Sequence, residues 1–138
     1  MSPLLRLAAV GGLAVLSACA AIEGMTQAPK TAAYIVFFDR GSADLGTDAG
    51  AVVDRAARDA ASARPAVVRV SGYTDRVGSF DQNFRLAEQR TVTVEERLVA
   101  RGVPAERIRR EPIGQAVAST VGTESAQDRR VEITFADE

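Results

Sequence analysis

The chain has 138 residues, enough for one domain around one core. Its 17 basic and 18 acidic residues nearly cancel, so the basic excess of a protein that lives on phosphate contacts is missing and no nucleic-acid partner is implied. The chain has no His and one Cys, which removes the commonest general base, the commonest metal ligand, any thiolate metal cluster and any intrachain disulfide. No metal or cofactor is expected.

Residues 1–18 read as a signal peptide: Arg6 supplies positive charge, an apolar run extends from Leu7 to Leu16, and small residues follow. The run falls short of the roughly 20 apolar residues that span a bilayer. Leu16-Ser17-Ala18-Cys19 resembles a bacterial lipobox, which implies cleavage before Cys19 and a diacylglycerol on its thiol. The plainer alternative is a secreted protein with one free Cys. Ala20 after the Cys implies, by the enterobacterial sorting rule, the periplasmic face of the outer membrane. Residues 19–32 then form the lipidated N-terminus and a short tether. About a dozen such residues reach at most roughly 40 Å.

Residues 33–138 form the folded domain. Ala33 to Phe38 is a first strand, β-branched and aromatic, broken by Asp39-Arg40-Gly41-Ser42. Thr47 or Asp48 is placed to cap a helix whose apolar positions Val52, Val53, Ala56, Ala57 and Ala60 recur at helical spacing, and Pro65 ends it. Ala66 to Ser71 is a second strand with Val68 and Val70 on one face, and Gly72 breaks it. A second helix runs from about Asp81 to Ala100 with Ala87, Thr91, Val94 and Leu98 facing inward, closed by Gly102 and Pro104. Arg107 to Ile113 is a third strand, with Arg109 and Arg110 on a solvated face. Gly114 to Gln127 is a long loop, and Arg130 to Phe135 is the last strand. The order βαβαββ predicts an α+β two-layer sandwich, with two helices packed on one face of a small mixed sheet.

The chemistry concentrates between Val70 and Arg90. A strand end, a polar loop and the first turns of a helix converge there, bringing Thr74, Asp75, Gly78, Asn83 and Arg90 into one neighbourhood. Asp75 and Arg90 offer one fixed negative and one fixed positive group, a pair suited to a small zwitterion. The plainer readings are a helix cap or a loop ion pair with Arg76 for Asp75, and a solvated helix cation for Arg90, as for Arg97 and Arg101. Asn83 reads equally as a cap or turn residue, and Arg129 as a surface charge at a strand start.

Three motifs occur in order: Gly72-Tyr73-Thr74-Asp75-Arg76-Val77-Gly78-Ser79, Asn83-Phe84-Arg85-Leu86-Ala87-Glu88-Gln89-Arg90 and Asp128-Arg129-Arg130-Val131-Glu132-Ile133. With Phe37-Phe38-Asp39 at the front, this set resembles the OmpA-like peptidoglycan-binding domain, the family of the OmpA C-terminal domain and of the peptidoglycan-associated lipoprotein. The resemblance covers about residues 33 to 136. It implies a non-enzymatic domain that binds the meso-diaminopimelate side chain of peptidoglycan stem peptides. Asp75 and Arg90 match the family's binding Asp and Arg, Asn83 the Asn between them, and Arg129 the first Arg of the terminal pair. Asp39 and Gly41 match the loop after the first strand. The chemistry agrees: a carboxylate accepts from the ligand's ammonium, and a guanidinium fork binds its carboxylate.

Four departures stand out. Thr91 replaces a usual buried Ala, which predicts looser packing or a hydroxyl bond to the preceding turn. Gln89 replaces an Arg at a position read as surface. Gln115-Ala116-Val117-Ala118 follows Gly114 without the usual acidic residue and Pro. Asp128 replaces the commoner Asn. The rival reading is a periplasmic interaction module docking Tol-system or other envelope proteins. A hydrolase fares poorly, because no His, catalytic Cys or Ser-Lys motif is present and a glycosidase needs two facing carboxylates.

Overall fold

The computed structural model describes residues 33–115 and 124–137. The signal segment, Cys19, the tether and the middle of the loop after Gly114 lie outside the described residues. Four strands and two helices follow the expected order: β1 (Ala33–Phe37), α1 (Thr47–Ala63), β2 (Val67–Thr74), α2 (Phe80–Ala100), β3 (Ile108–Gln115) and β4 (Arg130–Ala136). A single 3-10 turn, Ala105–Arg107, leads into β3, so Arg107 falls just outside the strand.

The sheet order is β1-β4-β2-β3. β4 is antiparallel to both β1 and β2, and β3 is parallel to β2. Consequently β1 and β2 point the same way with β4 between them, and their carboxyl ends open at the same edge as the start of β4. In sheets with parallel crossovers, ligand crevices form at such ends. The alternation in β4 is complete: Val131, Ile133 and Phe135 are buried, and Arg130, Glu132 and Thr134 are half-buried on the opposite face. Both helices cover the buried face. The core joins Val36, Val68, Val70, Val131 and Ile133 of the sheet to Val53, Ala56 and Ala57 of α1 and Val94 and Leu98 of α2.

β2 runs to Thr74, past the expected break at Gly72. Gly72 is inside the strand because α2 lies against it. A Cβ there would stand 2.7 Å from both the Ala87 carbonyl oxygen and the Thr91 side-chain methyl. The glycine marks a close backbone approach, not a turn. Thr91 is fully buried and donates its hydroxyl to the Glu88 carbonyl at 2.8 Å, so of the two expected consequences the hydroxyl bond is the one seen. On the β3 side the register shifts between Gly72 and Tyr73, with Pro112 and Gly114 as their successive partners. A bulge of this kind bends a strand and re-aims the side chains beyond it.

The caps differ from expectation. Gly46 is the N-cap of α1 and no side chain caps it, because Thr47 is already the first helical residue. Ser79 caps α2: its hydroxyl accepts from the Gln82 N–H at 3.2 Å, and the Gln82 side chain accepts from the Ser79 N–H at 3.1 Å. This reciprocal capping box assigns to Ser79 the capping role that Asp75 was a candidate for, and leaves Asp75 to other partners. At the far end, Arg101 is the C-cap, followed by Gly102 at φ 96°.

Arg97 and Arg101 are solvated only in part, because each is also tied to a partner. Both hold Asp54 of α1 with two-pronged contacts: Arg97 at 2.7 and 3.0 Å, Arg101 at 2.9 and 2.8 Å. The Arg97 fork, followed by that of Arg101, holds the Asp54 carboxyl below its ordinary value of 3.8. A depressed folded-state value contributes stability that is fully present above 3.8 and is lost as pH falls through the lower folded value. Asp54→Asn is therefore expected to melt at a lower temperature than the parent at neutral pH. The gap should close as both are titrated toward about pH 2. A gap that stays constant in thermal melts across that range would contradict the linkage. Arg110 is exposed, as expected of a solvated face, and also pairs with Glu95 of α2.

Candidate ligand-binding site

The β1–α1 loop, the β2–α2 loop and the entry to β4 meet at the open end of the sheet. Two adjoining hollows lie there. A cleft of about 450 Å³ is lined by Arg40, Gly41, Asp75, Val77 and Asn83, and by α2 residues Gln82, Arg85, Leu86 and Gln89. A recess of about 420 Å³ is lined by Phe37, Phe38, Asp39, Ala126, Gln127 and Arg129. The structure thus brings five of the six expected ligand contacts onto two neighbouring walls: Gly41, Asp75 and Asn83 on one, Asp39 and Arg129 on the other.

Asp75 is 7% exposed. Its Oδ1 accepts the Val77 N–H at 3.3 Å, and its Oδ2 faces Arg129 Nη1 at 3.4 Å. Both contacts are long for a carboxylate, which ordinarily takes charged donors at about 2.7–2.9 Å. Asp75 therefore retains acceptor capacity toward the cleft. Asn83 is buried and donates from its side-chain amide to the Val77 carbonyl at 3.0 Å. With the Asp75 bond, this pins Val77 from both sides and shapes the loop that carries Asp75. Gly41 sits at φ 66°, a conformation that lets the β1–α1 loop turn back over the site.

Arg90 is not the solvated helix cation of the plainer reading. It is fully buried beneath the two hollows. Nε donates to the Ser42 carbonyl at 2.8 Å, Nη1 to the Tyr73 carbonyl at 3.0 Å, and Nη2 to the Asp39 carbonyl at 3.0 Å. Its guanidinium carbon lies 5.1 Å from the centre of the Phe38 ring. One side chain thus ties the β1–α1 loop to the end of β2. Burial pushes its pKa down to about 10, opposed by nearby Asp75 and assisted by Arg129, so Arg90 remains a cation at neutral pH. It is a buried positive charge within electrostatic reach of Asp75 and Arg129.

Among the described residues, three buried side-chain atoms lack a hydrogen-bond partner: Thr74 Oγ1, Asp128 Oδ2 and Arg129 Nε. All three belong to the end of β2 or the entry to β4, beside Asp75. Unsatisfied buried polar atoms are uncommon and concentrate where a ligand or strain is accommodated. Asp128 in place of the expected Asn contributes one of them; its other oxygen lies 3.5 Å from Arg130.

The α2 face toward the cleft was legible but unread. Gln82, Arg85, Leu86 and Gln89 recur at spacings of 3, 1 and 3, one stripe of a helix. Gln89, read from the sequence as a surface position, lines the cleft.

Residues 37–133 match the OmpA family. The chain belongs to that family. The matched span contains all six expected contact residues. Among its relatives is the probable lipoprotein YiaD of Escherichia coli strain K12, 48% identical over 71 residues, covering 49% of this chain and 32% of the relative. Outer membrane protein P5 of Haemophilus influenzae is 36% identical over 110 residues, covering 71% of this chain and 31% of the relative. The peptidoglycan-associated lipoprotein of Rhizobium meliloti is 34% identical over 74 residues, covering 54% and 42%. The chain spans less than half the length of these curated relatives. In structure it resembles the peptidoglycan-associated lipoprotein of Burkholderia pseudomallei, with a TM-score of 0.67 and 23% identity over 74% of this chain and 89% of that one, a likeness of fold.

Proposed function

We propose that this OmpA-family chain is a non-enzymatic envelope lipoprotein that binds the meso-diaminopimelate side chain of peptidoglycan. Lipid on Cys19 would hold it to the outer membrane and the domain would hold the wall. Two modest attachments on one molecule give long retention. Relatives that are outer membrane proteins and lipoproteins support the envelope setting. The absence of His from the whole chain argues against hydrolytic or metal chemistry.

The observation that carries the reading is a carboxylate with spare acceptor capacity beside two cations. Asp75 lines a cleft 3.4 Å from Arg129, with the Arg90 charge buried below. An ammonium is taken by Asp75. A neighbouring carboxylate on the same carbon is drawn to Arg129 and to the Arg90 field. Diaminopimelate presents both groups at its free end, whereas a lysine end presents the ammonium alone.

The test is a calorimetric titration of the purified chain with a diaminopimelate-containing stem peptide and with its lysine counterpart. The charged hydrogen bond missing from the lysine form, worth about 1.5–3 kcal/mol, predicts roughly 10- to 150-fold weaker binding. Equal affinities would remove the carboxylate from the recognition scheme.

A further inference from the structure

Asp75 and Arg129 belong to a longer row of alternating charge. Arg129 Nη1 lies 3.4 Å from Asp75 Oδ2 and 3.5 Å from Glu124 Oε1, and Arg40 Nη1 donates to Glu124 Oε2 at 3.4 Å. Arg40 and Asp75 line the cleft, and Arg129 lines the recess beside it. The row therefore runs Asp75, Arg129, Glu124, Arg40 across the opening between the two hollows, negative and positive in turn.

Three features single out Glu124. Its carboxylate spans two guanidiniums, one through each oxygen, as a ligand carboxylate entering the opening would. Its side chain is 50% exposed, whereas that of Asp75 is 9% exposed, so it is the more readily hydrated of the row's two carboxylates. Finally, every link in the row is longer than the usual 2.7–2.9 Å of a charged hydrogen bond, and Arg129 Nε has no acceptor at all. The cations are held in place but under-satisfied.

We propose that Glu124 is an internal counter-ion occupying the carboxylate subsite, and that a zwitterionic ligand exchanges it away from Arg129 and Arg40. The inference rests on the proposed reading of the site and adds its regulation. Glu124 opposes ligands that bring a carboxylate and does not oppose those that bring only an ammonium. It thereby keeps the domain's hold on its ligand weaker than the cations alone would permit, and so reversible.

The test uses the full chain carrying Glu124→Gln, which keeps the shape and removes the charge. Exposed ion pairs are weak, so their loss from the free state should tighten the diaminopimelate stem peptide about two- to ten-fold. The lysine stem peptide should bind no tighter than before, because with Glu124 neutral Arg129 leans more on Asp75 and an ammonium gains nothing. Unchanged affinity for the diaminopimelate form would make Glu124 a solvated surface charge. Weaker binding would make it a support of the site, and equal tightening of both ligands would reduce its role to general electrostatics; each outcome overturns the proposal. If the parent chain fails to bind the diaminopimelate peptide, the reading of the function falls and this inference falls with it. If the parent binds and the variant gains nothing, only the inference is lost.

Discussion

Replacing Asp75 by alanine is expected to abolish co-sedimentation of the chain with diaminopimelate-type peptidoglycan. The lost contact is a charge-assisted hydrogen bond to a carboxylate that is itself 7% exposed, worth about 1.5–3 kcal/mol, or roughly 10- to 150-fold in affinity. The variant also leaves Arg129 paired only with Glu124 and makes the site more positive, which further disfavours an ammonium. The fold should survive, because the contacts Asp75 makes to the rest of the domain are long ones, to the Val77 N–H at 3.3 Å and to Arg129 at 3.4 Å. Asp75→Asn is the companion variant. It keeps the oxygen that accepts from Val77 and removes the charge, and it should lose the wall as fully as the alanine variant does. Retention of wall binding by both variants, with melting temperatures near the parent's, would sink the assignment of Asp75 to the ammonium.

Arg90→Ala is expected to act first on stability. The side chain is fully buried and its guanidinium serves three backbone carbonyls, two from the β1–α1 loop and one from the end of β2. Removing it leaves those carbonyls without their donor and opens a cavity under the site. Breaking a buried charged network of this kind costs about 3–5 kcal/mol, a large share of the stability of a small domain. Urea denaturation should show a midpoint lowered in proportion, and the Asp39–Ser42 loop should lose its register over the cleft. Loss of wall binding in this variant would therefore not by itself demonstrate a ligand contact. Arg90→Lys separates the two effects. It keeps a positive charge beneath the floor but cannot span three carbonyls, so it should fall between parent and alanine in stability while retaining part of the binding. An alanine variant as stable as the parent would show that Arg90 does not frame the site.

The elements were legible because their apolar periods are clean. Val68 and Val70 alternate as a half-buried strand requires, and Ala87, Thr91, Val94 and Leu98 recur as one helical stripe; the structure buries them all. Two features were present in the sequence and passed over. Ser79 with Gln82 is a capping box by spacing alone, and Gln82, Arg85, Leu86 and Gln89 form a helical stripe toward the cleft. Gly72 was misread for a physical reason: a glycine that breaks a strand and a glycine that lets a helix approach one look alike until the helix is placed. The Asp54 forks were beyond reach, since their partners lie 43 and 47 positions away and a charged residue on a helix reads as solvated by default. Glu124 carried no motif and gains its meaning only from the two arginines around it.

The stretch from Val70 to Arg90 and the Asp128-Arg129 motif were enough to place the chain in a family and to name Asp75, Asn83, Arg90 and Arg129. Residue type and spacing along one chain carry that information, because they decide which element each side chain rides on. Only the tertiary structure decided the depth of each charge. By inserting β4 between β1 and β2, it brought three loops to one edge, left Asp75 beside the cleft with long contacts, and buried Arg90 as the tie between the β1–α1 loop and β2. Burial and partner geometry are sums over residues distant in sequence. A guanidinium 15 positions from a carboxylate is the same string of letters whether it meets a ligand or holds up the floor.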